Sequence, residues 1–96
     1  MRYVDGIEVR LGDIVTVPVP SGSAKGKIVM LGDSREHLPI EPSFLAWVQR
    51  EPALLKPGSV VIEWVDENPL AHSDPRYAPA GDYMFTPIDQ FVTKNV

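Results

Sequence analysis

The N-terminal stretch YVDGIEVRLGDIVTV, residues 3–17, sets two turn dipeptides between short apolar runs. The dipeptides, Asp-Gly at 5–6 and Gly-Asp at 12–13, are typical of tight turns. Between them, residues 7–11 alternate apolar and charged side chains, as a half-buried strand does. The stretch predicts a first strand over 7–11 and a second beginning at residue 14.

The alternation extends to residue 31. The run IVTVPV, residues 14–19, has its valines on one face and Pro18 on the other, so the missing N–H of Pro18 predicts a sheet edge or a strand end. The sequence SGSAKG at 21–26 predicts a turn, and KIVML at 27–31 predicts a third strand that Gly32 and Asp33 close. These elements together predict an antiparallel meander.

Four prolines interrupt the middle segment, residues 32–58, where the sequence predicts one short helix. Ser43 is its predicted cap, and Phe44, Trp47 and Val48 share one face at i, i+3 and i+4. Two interpretations of Phe44 and Trp47 stay open. They form either a lid on the core or the aromatic anchors of a binding surface.

The strongest strand pattern covers residues 59–65, SVVIEWV, in which Val60, Ile62 and Trp64 are expected to point inward. Residues 66–82 hold three prolines without periodicity and predict a long loop, which in a small domain is often functional. A short last strand at 83–85 and a single turn near 87–91 complete the predicted elements.

Composition limits the possible functions. Ninety-six residues predict a single domain over 1–96, whose modest core leaves little room for a deep catalytic cleft. The chain has no cysteine, no signal-peptide pattern and no apolar run near the ~18 residues of a membrane span, so we expect a cytoplasmic protein. The net charge of −4 disfavours general nucleic-acid binding.

No pattern in the sequence predicts catalysis, a cofactor or a metal. GSAKGKI, residues 22–28, is one residue too short for a phosphate-binding loop and lacks its Ser or Thr. His37 and His72 lie 35 residues apart, and Ser73 next to His72 has no nucleophile elbow around it. We therefore expect a protein without enzymatic activity.

Charge is divided unevenly along the chain. Residues 1–31 carry four basic and three acidic side chains, whereas residues 32–96 carry five basic and ten acidic ones. Acidic loops at one rim of a barrel would face a basic partner, and exposed aromatic residues would anchor it. The candidate partner-binding residues are Asp33, Glu36, Phe44, Trp47, Asp66, Glu67, Asp74 and Tyr77.

The pattern Y-x-D-G-x-E-V-x-x-G-D-x-V resembles SH3-like barrels, including KOW-type ones. More narrowly, the sequence is similar to small bacterial proteins that are encoded beside polymorphic toxins and regarded as immunity proteins. Pro18 and Pro20, which interrupt the second strand, depart from that pattern, and the 66–82 loop has no counterpart in it. The matching residues are Tyr3, Asp5, Gly6, Glu8, Val9, Gly12, Asp13, Val15, Gly26, Val29 and Trp47.

The resemblance implies a mainly β fold, a small SH3-like antiparallel barrel or roll of about five strands with a short helix in the middle insertion. It implies an immunity protein that neutralises a cognate toxin by protein–protein contact. One alternative is a KOW-like module that binds RNA or the transcription and translation machinery, which requires Arg2, Arg10, Lys25 and Lys27 on one face. A second alternative is a small ligand-binding subunit or enzyme.

Overall fold

A computed structural model describes residues 1–19, 22–65 and 83–95. Within these ranges the protein is mainly β, with five strands and one short α-helix in the middle segment, as the sequence predicts. The elements in chain order are β1 (Ile14–Val19), β2 (Gly22–Leu31), α1 (Pro42–Arg50), a 3₁₀ turn (Pro52–Leu54), β3 (Ser59–Trp64), β4 (Tyr83–Pro87) and β5 (Thr93–Lys94).

All five strands belong to one antiparallel sheet in the order β4-β3-β2-β1-β5. Strands β1, β2 and β3 each pair with the next strand along the chain, and β5 returns to pair with β1. Strand β2 is the longest and pairs with β1 through its first half and with β3 through its second, with a bulge between Ile28 and Met30. The described strands thus form an open sheet.

Both faces of the sheet are covered by apolar side chains. One face buries Val60, Ile62 and Trp64, which confirms the predicted inward positions of β3. The other face carries Val61, and there α1 buries Phe44 and Val48 against the sheet. Because α1 covers the second face as well, β3 carries apolar residues on both faces. Its sequence therefore shows little alternation of apolar and polar residues.

The prolines of the strands lie where no ladder hydrogen bond is lost. The Asp13 carbonyl accepts a hydrogen bond from the Ile28 amide, so the odd-numbered residues of β1 direct their backbone groups toward β2. Pro18 is even-numbered, and its backbone nitrogen faces away from β2. Strand β5 pairs with β1 only at Val15 and Thr16 and ends before Pro18. The prediction that Pro18 marks a sheet edge or a strand end is confirmed as a strand end, because β1 ends at Val19.

The predicted strand over residues 7–11 is wrong. The Asp5-Gly6 turn folds the chain back on itself. The Tyr3 amide donates to the Ile7 carbonyl at 2.9 Å, and the Val9 amide donates to the Met1 carbonyl at 3.0 Å. The result is a small N-terminal hairpin with a single isolated bridge, outside the sheet. The hydrogen bonds of this segment are satisfied locally, so it does not join β1.

The predicted turn at 21–26 is also wrong, because residues 22–26 belong to β2. Gly26 lies in the strand interior, where a Cβ atom would come within 2.6 Å of Ile62 Cδ1. This glycine serves close packing between strands, which the sequence alone does not distinguish from a turn.

The helix begins one residue before the predicted cap. Glu41 is the N-cap residue, Pro42 occupies the first turn and the Ser43 hydroxyl donates to Glu41 Oε1 at 3.1 Å. Proline is favoured at the first helical position because it has no N–H to satisfy there. Ser43 is therefore not the cap, although the predicted apolar face of the helix is confirmed.

Candidate partner-binding surface

Four aromatic side chains from α1 and β4 pack into one cluster: Phe44, Trp47, Tyr83 and Phe85. Phe44 stacks on Tyr83 with ring centroids 4.3 Å apart. Trp47 lies edge-on to both Phe44 and Phe85, at 5.9 Å in each case. Such edge-on and stacked pairs are the preferred aromatic geometries, so the cluster holds the helix to the edge of the sheet.

The four rings differ in their access to solvent. Phe44 and Tyr83 are buried, and the Tyr83 hydroxyl accepts a hydrogen bond from the Glu41 amide at 3.0 Å, at the start of α1. Trp47 and Phe85 are half-buried. Of the two interpretations, the lid on the core is the one that describes Phe44. Trp47 and Phe85 pack on the core and also offer ring surface to a partner.

Phe85 also presents backbone groups at the outer edge of β4, the last strand of the described sheet on that side. The Ile88 amide donates to the Gly58 carbonyl, so the β4 residues that bond to β3 are the even-numbered ones. Phe85 therefore directs its N–H and C=O away from the sheet. No described residue pairs with them, and Pro87, which points the same way, has no N–H that would extend a ladder there.

The two described acidic candidates, Asp33 and Glu36, lie in the turn after β2. Asp33 Oδ1 accepts the Gly58 amide at 2.7 Å, and Oδ2 lies 3.7 Å from the Met1 amine. Glu36 is exposed, and its backbone carbonyl accepts the Leu31 amide at 2.9 Å. The Asp33 carboxylate thus fixes the entry to β3, while that of Glu36 faces solvent.

The remaining candidates, Asp66, Glu67, Asp74 and Tyr77, lie with the rest of the 66–82 segment outside the described residues. Val65, the last described residue before that segment, lies at the end of β3 opposite to Gly58 and Asp33. The grouping of both acidic segments at one rim remains a prediction.

An apolar surface that the sequence did not predict lies at the opposite edge of the sheet, near β5. Val4 is 70% exposed, Phe91 62% and Ile7 48%. A surface cleft of about 270 Å³ separates the N-terminal hairpin from the last turn, and its lining includes Val4, Gln90 and Val92. The only signal in the sequence for this surface is the position of Val4 and Ile7 beside the Asp5-Gly6 turn. For Ile7 that signal is ambiguous, because Ile7 also fits the alternating pattern that predicts a strand.

Asp13 ties this second edge together. It accepts hydrogen bonds from the Tyr3 hydroxyl at 2.8 Å and the Arg10 amide at 3.0 Å, and Lys94 Nζ lies 3.8 Å away. Burial of the phenol raises the pKa of Tyr3 above its usual value, and the hydrogen bond to Asp13 and its negative charge raise it further. Tyr3 therefore stays a neutral donor that positions the N-terminal hairpin on the sheet.

Two of the four cations required by the RNA-binding alternative, Arg2 and Lys27, lie beside acidic residues. Arg2 Nε lies 3.5 Å from a Glu8 carboxylate oxygen. Lys25 and Lys27 point to the same face of β2, where Lys27 is paired in register with Glu63 of β3. The local field of these cations is reduced accordingly.

Among the described residues, no three His, Asp or Glu side chains group as metal ligands do. No helix in the same ranges is long and apolar enough to cross a bilayer. No protein family, curated protein or solved structure matches the chain.

Proposed function

We propose that this protein is a non-catalytic protein-binding domain that neutralises a cognate bacterial toxin in the cytoplasm. The half-buried pair of Trp47 and Phe85 at the outer edge of β4, where no described strand pairs, carries the proposal. Tryptophan and other aromatic anchors dominate the binding energy of protein interfaces. Both rings pack on Phe44, which itself stacks on Tyr83, so little conformational entropy is lost when a partner covers them.

We also propose that the sheet is an SH3-like roll. The strand order supports this, since four strands form a meander and the short fifth strand pairs with the first. The aromatic pair lies near the start of β4, which begins at Tyr83, two residues before Phe85.

The charge of the chain indicates the kind of partner. A net charge of −4, with ten of the thirteen acidic side chains in residues 32–96, favours a toxin with a basic surface. Toxins that act on nucleic acids need such a surface to bind phosphate. The proposed partner is therefore a basic, nucleic-acid-degrading protein whose active surface the domain covers.

Trp47→Ala is expected to weaken binding of the toxin by about 2 kcal/mol or more, mainly through faster dissociation, as loss of a buried anchor does. The partner is first recovered by pull-down from the source cell, and dissociation is then followed by surface plasmon resonance. Phe91→Ala is the matched control, because it removes an exposed aromatic ring near the opposite edge of the sheet. A thermal melt of each variant separates loss of binding from loss of folding.

Two outcomes would contradict the proposal. If Phe91→Ala weakens binding and Trp47→Ala does not, the contact surface is the one near β5 and the Trp47–Phe85 assignment is wrong. If the pull-down recovers RNA or ribosomal proteins in place of one basic protein, the domain is a nucleic-acid or ribosome-binding module.

Reversing Asp66 and Glu67 to Lys is expected to slow association with a basic toxin and to reduce its dependence on salt, because charges at an interface rim act mainly by steering encounter. Dissociation should change much less. Association rates at two salt concentrations measure both effects. The control is the double variant Glu8→Lys, Glu51→Lys, which changes the net charge equally at exposed sites elsewhere. If the control variant slows association equally, the effect comes from the net charge of the protein and not from the position of Asp66 and Glu67.

A further inference from the structure

A cleft of about 240 Å³ lies between the second half of α1 and the segment that follows β2, away from the sheet edges described above. Its lining combines buried apolar side chains with polar ones at the rim. The lining residues are Met30, Arg35, His37, Leu45, Val48, Gln49 and Pro52.

Arg35 is held at the rim by an unusual backbone conformation. Its φ angle is 66°, in the left-handed region that non-glycine residues rarely adopt, and its amide donates to the Leu31 carbonyl at 2.9 Å. One guanidinium nitrogen, Nη2, donates to the Pro52 carbonyl at 3.0 Å. This hydrogen bond links the Arg35 guanidinium to the backbone of Pro52, and both residues line the cleft.

Arg35 retains donors for a further group. A guanidinium has five N–H donors, and the Pro52 carbonyl uses only Nη2. No carboxylate in the described ranges forms an ion pair with it, and the ion pairs of those ranges involve Arg2, Lys94 and the Met1 amine. A positioned guanidinium at the mouth of a cleft, with no ion pair to the described residues, is suited to a planar anion.

His37 forms a fixed side wall. Its Nδ1 lies 2.9 Å from the Leu38 carbonyl, and because a carbonyl oxygen only accepts, Nδ1 must carry the hydrogen. The backbone of His37 is in turn held by an isolated bridge to Met30. The floor beneath is apolar, since Met30 and Val48 are buried and Leu45 is half-buried.

We propose that this cleft binds a small monocarboxylate with an apolar tail, its carboxylate on Arg35 and its tail on Met30, Leu45 and Val48. The volume lies just below the roughly 300–1,000 Å³ of sites for drug-sized ligands, which limits the ligand to about ten non-hydrogen atoms. A single negative charge is favoured, because the protein itself has a net charge of −4 and repels multiply charged anions. This inference does not depend on the proposed function.

The test is a titration of the ¹⁵N-labelled full chain with phenylacetate, followed by amide chemical shifts. We expect saturable shifts confined to the cleft, at Met30, Leu45, Val48 and Gln49, with a Kd on the order of 0.1–1 mM for a ligand of this size. Phenylacetamide, which has the same tail without charge, should bind about tenfold more weakly. Acetate, which has the charge without the tail, should produce no saturable shift.

Arg35→Gly is the decisive variant, because it removes the guanidinium while glycine adopts the observed positive φ without strain. It should fold and bind phenylacetate about tenfold more weakly, whereas Arg35→Lys should retain part of the affinity. Leu45→Ser, on the half-buried apolar wall, is a second variant and should also weaken binding.

Three results would overturn the proposal: equal binding of phenylacetate and phenylacetamide, unchanged binding by Arg35→Gly, or shifts that lie outside the cleft. A short peptide ending in phenylalanine provides a further comparison. If it binds far more tightly than phenylacetate, with shifts extending beyond the cleft, the site takes the C-terminus of a protein and not a small molecule.

Discussion

Trp64→Ala is expected to lower the free energy of unfolding by about 3–5 kcal/mol, which is a large part of the 5–15 kcal/mol that stabilises a typical domain. The Trp64 side chain is only 7% exposed and packs in the same core cluster as Val60 and Ile62. Its register partner on β2 is Gly26, which has no side chain to move into the space that truncation leaves. The resulting cavity therefore adds its cost to that of the lost apolar burial.

Trp64→Phe is the matched control for this prediction. The indole Nε1 is buried and has no hydrogen-bond partner among the described residues, so phenylalanine removes an unsatisfied N–H while keeping most of the ring. Its cost should be about 1–2 kcal/mol, because part of the apolar burial is still lost. Urea denaturation followed by far-UV circular dichroism measures both variants. A loss below about 1 kcal/mol for Trp64→Ala would contradict a core position for this side chain.

The parts of the fold that could be predicted are those in which one face of a strand packs on the core. Strand β1 follows from its alternation and β3 from its run of β-branched residues, and Pro18 correctly predicts a strand end. The segment 7–11 has the same alternation but satisfies its hydrogen bonds within a local hairpin. Periodicity gives the faces of a segment and not its hydrogen-bond partner, so the two cases look alike in sequence.

The candidate surface could be predicted only in part for a related reason. The helical spacing of Phe44 and Trp47 identifies the aromatic face of α1, but not which ring is covered. Phe85 escapes prediction because its significance comes from the sheet order, which places β4 at an edge, and from the register, which turns its backbone outward. Arg35 escapes it because its position depends on a backbone angle and on a contact with Pro52, 17 residues away.

Gly32→Ala is expected to destabilise the domain by about 3 kcal/mol, at the upper end of the cost of overpacking. Gly32 is buried where the chain leaves β2, and its amide donates to the Ser59 carbonyl at 2.8 Å. A Cβ atom there would overlap the Lys56 carbonyl oxygen and lie 2.5 Å from that of Ser59. Both obstacles are backbone atoms, so no rotamer change relieves the overlap and the connection into β3 must shift.

Gly12→Ala separates this packing effect from a general cost of replacing glycine. Gly12 has a φ angle of 90°, and no atom lies within 4 Å of the point that a Cβ would occupy, so alanine there introduces backbone strain alone, about 1–2 kcal/mol. Urea denaturation of the two variants gives the comparison. The amide chemical shift of Gly58 provides a local readout. Its N–H donates to Asp33 Oδ1, so it joins the residue after Gly32 to the segment that a Cβ at position 32 would displace. If Gly32→Ala costs no more than Gly12→Ala, the connection into β3 can shift at little cost and is not the close contact inferred from the distances.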